Sequence, residues 1–135
     1  MITYENEIHT AIDKIASLIS TEMTGIPLSF DEHRGNQSLL IVPDGDSIVE
    51  TMSNGQVREY TILISYELTT TGHYSENNFK QISNVVEHIK RLFAPDNNAS
   101  VTDYFFDAVV QGIDYEREES VNRATITLTC KRLEV

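Results

Sequence analysis

Between Val57 and Gly72 the chain reads VREYTILISYELTTTG, and its apolar and polar positions alternate. Tyr60, Ile62, Ile64, Tyr66 and Leu68 fall on one parity; Glu59, Thr61, Ser65, Glu67 and Thr69 fall on the other, with Leu63 the one apolar residue out of place. Period-two alternation predicts a strand buried on a single face, here about twice the ~5–6 residues of an average strand. The last strand repeats the pattern: in SVNRATITLTCKRL, Ala124, Ile126, Leu128 and Cys130 oppose Arg123, Thr125, Thr127, Thr129 and Lys131. YFFDAVVQGIDYERE (104–118) precedes it as an antiparallel partner. Shorter strands are expected in PLSFDEH (27–33), SLLIVP (38–43) and SIVETM (47–52), with turns at RGNQ and PDGD. SNG, between SIVETM and the long strand, is a hairpin signal.

Two stretches carry the helical period instead. In NEIHTAIDKIASLISTEM, Ile8, Ala11, Ile12, Ile15, Leu18, Ile19 and Met23 recur every three or four residues, opposite Asp13, Lys14, Ser17 and Ser20. Gly25 and Pro27 end that helix. In SENNFKQISNVVEHIKRLFAP the apolar stripe is Phe79, Ile82, Val86, Ile89 and Phe93, with Ser75 as N-cap, Pro95 as stop and the loop 96–100 behind it. The order is thus α-β-β-β-β-α-β-β. It defines an α+β fold: an antiparallel or mixed sheet with a long hairpin, two amphipathic helices on one face, and a second face rich in Thr, Ser and Glu. The 135 residues are expected to form one domain, 1–135, with a hairpin arm projecting around 47–59.

The formal charge of −11, from 21 acidic and 10 basic residues, opposes a grip on nucleic acid, which needs clustered Lys and Arg. The short basic runs HIKR (88–91) and Lys131-Arg132 read as helix-end and strand-end charges. No apolar run approaches the ~20 residues of a membrane span, and Met1 leads into polar residues rather than a signal sequence. The single Cys130 excludes an internal disulfide and sits on the apolar parity, as a small core residue.

Candidate chemistry is sparse. Asp31, Glu32 and His33 are consecutive, and neighbours on a strand point to opposite faces, so they are not expected to chelate a metal together. DGDSIVE (44–50) lacks the calcium-loop order. His9, His73 and His88 read as surface or boundary residues, and no nucleotide, zinc-protease or serine-elbow motif occurs. No catalytic, cofactor or metal residues are therefore assigned. YERE and Glu119 (115–119) form a charge run, read either as a solvated hairpin tip or as a docking loop.

The layout resembles the tail terminator, or tail-completion, proteins of tailed bacteriophages. The residues that carry the likeness are REYTILISYELT (58–69), the helix closing at LFAP (92–95) and GIDYEREESVNRATITLTCKRL (112–133). The resemblance spans nearly the whole chain as a pattern rather than a fixed motif, and it brings no catalytic residues. It implies a structural virion protein that caps the tail tube as a ring, usually a hexamer, and joins it to the head connector. The implied partners are further copies of the chain, the tail tube protein and a neck or connector protein; DNA passes without specific binding, and there is no membrane. The implied location is the virion, after assembly in the host cytoplasm. Candidate interface residues are the hairpin tip, Val49, Glu50, Thr51, Met52, Ser53, Asn54, Gly55, Gln56, Val57, Arg58 and Glu59, and the loop Glu116, Arg117, Glu118 and Glu119. Another neck protein is the nearest alternative; a small enzyme or ligand-binding module is the alternative of a different class, and would need a pocket with convergent polar groups.

Overall fold

A computed structural model describes residues 6–33, 35–69, 76–93, 105, 107–118 and 121–134. Ser75, Pro95, the 96–100 loop, His73 and Glu119, which the sequence analysis singled out, lie outside these residues. The elements are α1 (Glu7–Glu22), β1 (Leu28–Ser29), β2 (Gln37–Met52), β3 (Gly55–Thr69), α2 (Glu76–Leu92), β4 (Asp107–Arg117) and β5 (Val121–Glu134). The strands form one sheet in the order β1-β2-β3-β5-β4, antiparallel throughout except for the parallel β1–β2 pair. This is the expected α+β class with two helices and a mixed sheet.

The alternation in β3 does what its period dictates. Tyr60, Ile62, Ile64 and Tyr66 are fully buried, as are Ala124, Ile126, Leu128 and Cys130 opposite them on β5. Both helices cover this face. α1 contributes Ala11, Ile15, Ala16 and Ile19, and α2 contributes Ile82, Val86, Ile89 and Leu92. The two buried tyrosines keep their hydroxyls bonded: Tyr66 donates to Gln37 at 2.7 Å, and Tyr60 donates to Glu134 at 3.4 Å while Phe105 meets its ring edge-on. Cys130 is fully buried, and loss of hydration pushes its thiol up to about 12.

Four expectations change. PDGD is not a chain reversal: SLLIVP and SIVETM are halves of one 16-residue strand, and the extra residue is absorbed by a register shift between Pro43 and Gly45. A bulge accommodates a residue without an N–H at a position where only one side of the strand is paired. PLSFDEH shrinks to a two-residue strand, because Asp31 accepts from the N–H of Glu32 and the chain then folds His33 onto the sheet. Phe79 does not join the buried stripe; it is 45 % exposed and lies against Tyr115, with ring centroids 6.2 Å apart. The β2–β3 hairpin forms, but its loop residues are Ser53 and Asn54 while Gly55 opens β3. Among the described residues the only positive φ belongs to Gly35, at 83°, in the expected RGNQ turn.

Candidate assembly interface

The long strand and its partner extend past the helices. β3 pairs with β5 as far as Gln56 with Glu134, so the hairpin tip has a third strand along it. The arm is a three-stranded ribbon rather than the two-stranded hairpin expected from sequence, and Val57, a candidate interface residue, is buried beneath its cross-strand neighbours. The expected last strand already ran to Leu133; what spacing could not supply was its pairing beside β3, which only the β3–β5 register sets.

Arg58 clamps this ribbon. It donates through Nε to Asp46 on β2 at 2.7 Å and through Nη1 to Glu134 on β5 at 2.6 Å, and its guanidinium lies 5.0 Å from the Tyr60 ring centre. One planar cation thereby ties three strands together. The Asp46 hydrogen bond raises the Arg58 pKa above its ordinary value. Burial pushes the Glu134 carboxyl up, but hydrogen bonds from Gln56 and Arg58 outweigh it and hold the group below the usual range. Arg132 pairs with Glu7, which anchors the end of β5 to the start of α1.

Two properties of the ribbon stand out. Ile48, Val49, Met52 and Leu133 are exposed at 56, 49, 39 and 45 %. Only Leu39 and Leu40 of β2 are paired with β1, so among the described residues Ile41–Met52 present an unpaired edge. Edges of this length template further contacts unless they are blunted. Glu50 lies opposite Val57, Thr51 opposite Gln56 and Met52 opposite Gly55, while Glu59 sits 3.9 Å from Lys131.

The second set of candidate residues lies elsewhere. Arg117 and Asn122 pair at the register of Leu68, while the tip is at Gly55, thirteen positions along β3. At about 3.4 Å per residue that is roughly 40 Å, so the sequence-predicted residues occupy opposite ends of the sheet. Glu116 bonds Arg123 at 2.9 Å, and the Glu118 N–H donates to the carbonyl of Val121 at 2.8 Å, closing the β4–β5 turn. Beside them Phe79, Ile82 and Tyr115 wall a cavity of about 210 Å³ that Glu116, Arg117, Asn122 and Arg123 also line.

The polar sheet face carries its own network, which the sequence did not disclose. His33 Nδ1 lies 2.6 Å from Ser38 Oγ and its Nε2 lies 3.0 Å from Ser65 Oγ. Glu67 approaches the same Nε2 at 3.8 Å and accepts from Arg123 at 2.7 Å. Burial lowers the His33 pKa; Glu67 raises it and Arg123 lowers it. Nothing in spacing alone puts residue 33 beside 65; only the β2–β3 register does. Leu63, out of place in the alternation, pairs with Val42 on this face. Among the described residues no group of three or more His, Cys, Asp and Glu side chains is placed to hold a metal ion.

No protein-family model matches the chain, and no curated protein matches it. Among the described residues no helix is long and apolar enough to cross a membrane.

Proposed function

We propose that the chain is a structural assembly protein, a ring-forming cap that completes a phage tail tube and joins it to the head connector. The observation that carries this reading is the ribbon that Arg58 clamps, with four exposed apolar side chains and, among the described residues, a long unpaired strand edge. Such a surface is suited to burial against a partner. Its second support is asymmetry. The ribbon tip and the β4–β5 end are unlike surfaces at opposite ends of the sheet, and contact between unlike surfaces joins copies head to tail, closing into a ring where the rotation allows. The likeness in element order to tail terminator proteins supplies the setting.

Charge supports passage of DNA rather than a grip on it. Six copies carry a formal six times −11, or −66, and a channel of that sign leaves duplex DNA free to slide. The test is biochemical: purified particles are quantified for this chain, and the isolated protein is imaged by negative stain alone and with tail tubes. The expected result is a ring at one end of the tube.

A further inference from the structure

Between Phe30 and His33 the chain passes from one face of the sheet to the other. Phe30 lines two grooves along α1, of about 580 and 260 Å³, and Asp13 lines both with it. His33, three residues on, sits on the opposite face between Ser38 of β2 and Ser65 of β3, at 2.6 and 3.0 Å. The β1–β2 pairing ends at Ser29 with Leu40, so the segment rounds the sheet margin where, among the described residues, Ile41 begins the unpaired edge. Ile41 and Pro43 line the smaller groove beside Phe30. We propose that Phe30–His33 is a strap across this edge, held down by His33 in its neutral form and released when His33 takes up a proton.

The seat suits a neutral ring. A neutral imidazole offers one N–H and one bare nitrogen, and a serine hydroxyl can both donate and accept, so both contacts are satisfied together. A protonated ring donates from both nitrogens, so the hydroxyl that had been donating to it has to turn away, and Ser38 and Ser65 are both buried. The nearest counter-charge is already committed. Glu67 on β3 lies 3.8 Å from Nε2, but Arg123 on β5 donates to the same carboxylate oxygen at 2.7 and 3.1 Å. Arg123 also donates to Glu116 on β4 at 2.9 Å, while Asp31 and Glu32 are exposed on the strap itself. Burial lowers the His33 pKa; Glu67 raises it, Arg123 lowers it and a Ser38 hydrogen bond raises it, and the balance is downward. His9 and His88 also face carboxylates, Asp13 and Glu22, but all four are exposed and cannot act this way. An open strap leaves His33 in water, so closure is complete above about pH 6.5. Below that the open-to-closed ratio rises by up to about tenfold per pH unit, until the folded pKa is passed. Release removes Phe30 from both grooves and bares the strand edge from Ile41. The device is independent of the assembly role.

The chain contains no Trp, so Phe30→Trp places a single indole fluorophore on the strap. The full chain is titrated from about pH 7.5 to about 5, with circular dichroism followed on the same samples. Acrylamide quenching is expected to rise from below about pH 6.5 along a single protonation, while the circular dichroism stays that of the folded chain. In the unsubstituted chain, nuclear Overhauser contacts from the His33 ring to the Ser38 and Ser65 side chains are expected to fade over the same range. His33→Asn takes up no proton and is expected to flatten the quenching profile. Arg123→Gln frees Glu67 to face a charged ring and is expected to shrink the rise about threefold. Quenching that stays flat while the His33 ring titrates, a rise that persists in His33→Asn, or a rise that coincides with loss of the circular dichroism overturns the inference. Ring contacts to Ser38 and Ser65 that survive protonation, or an unchanged rise in Arg123→Gln, overturn it as well.

Discussion

Ile64→Ala removes three carbons from the middle of the central strand. Ile64 is fully buried, with Ile41 of β2 on one side and Ile126 of β5 on the other in direct register. At about 0.8 kcal/mol per buried methylene the lost transfer energy is about 2.4 kcal/mol. A strand paired on both edges cannot close over the gap, so a cavity contribution of about 1 kcal/mol remains, for a total of about 3–4 kcal/mol. With an unfolding entropy of about 2.1 cal/mol/K per residue, this lowers Tm by roughly 10–15 °C. The internal control is Ile48→Ala, the same deletion at a side chain 56 % exposed, expected to cost under about 0.5 kcal/mol. Urea unfolding followed by circular dichroism measures both, with a shifted midpoint and an unchanged slope. If the two substitutions differ by less than about 1 kcal/mol, the assignment of buried and open parts of the hairpin is wrong.

Three further outcomes are expected. Cys130→Ser buries a hydroxyl in the core and is expected to cost about 1–3 kcal/mol, with Cys130→Ala milder, as urea midpoints will show; equal costs would contradict the burial argument. The His33 pKa is lowered in the folded state, so the unfolded chain takes up a proton first as pH falls. Stability from this group is therefore complete above about pH 6.5 and declines as pH drops from there through the folded pKa. His33→Asn should flatten that part of the urea-midpoint profile relative to the parent, and superimposable profiles would refute the coupling. Duplex DNA is expected to show no shift in a native gel at low salt, where phosphate attraction is strongest; tight, salt-sensitive binding would mean that the exposed Lys90 and Arg91 join a basic patch.

The buried face was legible because period two and period 3.6 are local signals. Tyr60 to Leu68 and Ala124 to Cys130 announce their own sides, and α1 announces its stripe. What the pattern could not supply was anything set by register. Pro43-Asp44-Gly45 has the chemistry of a turn, yet pairing of β2 with β3 on both sides of it makes a bulge cheaper than a reversal. Phe79 has helical spacing with Ile82 and Val86, yet it falls at the margin of the core and meets the exposed Tyr115 of the edge strand β4 instead. The clamp of Arg58 on Asp46 and Glu134, and the seat of His33 between Ser38 and Ser65, join residues far apart in sequence. The tip residues were found as a turn flanked by polar positions; that the last strand runs beside them follows only from the β3–β5 register.

Copy number is the quantity on which the assembly role turns. Quantitative mass spectrometry of purified phage particles, with isotope-labelled peptides of this chain and of the tail tube protein, measures it directly. Six copies per particle are expected, retained on the tail fraction or at the junction when heads and tails are separated. Absence of the chain from purified particles, or its presence at one or two copies, would contradict it.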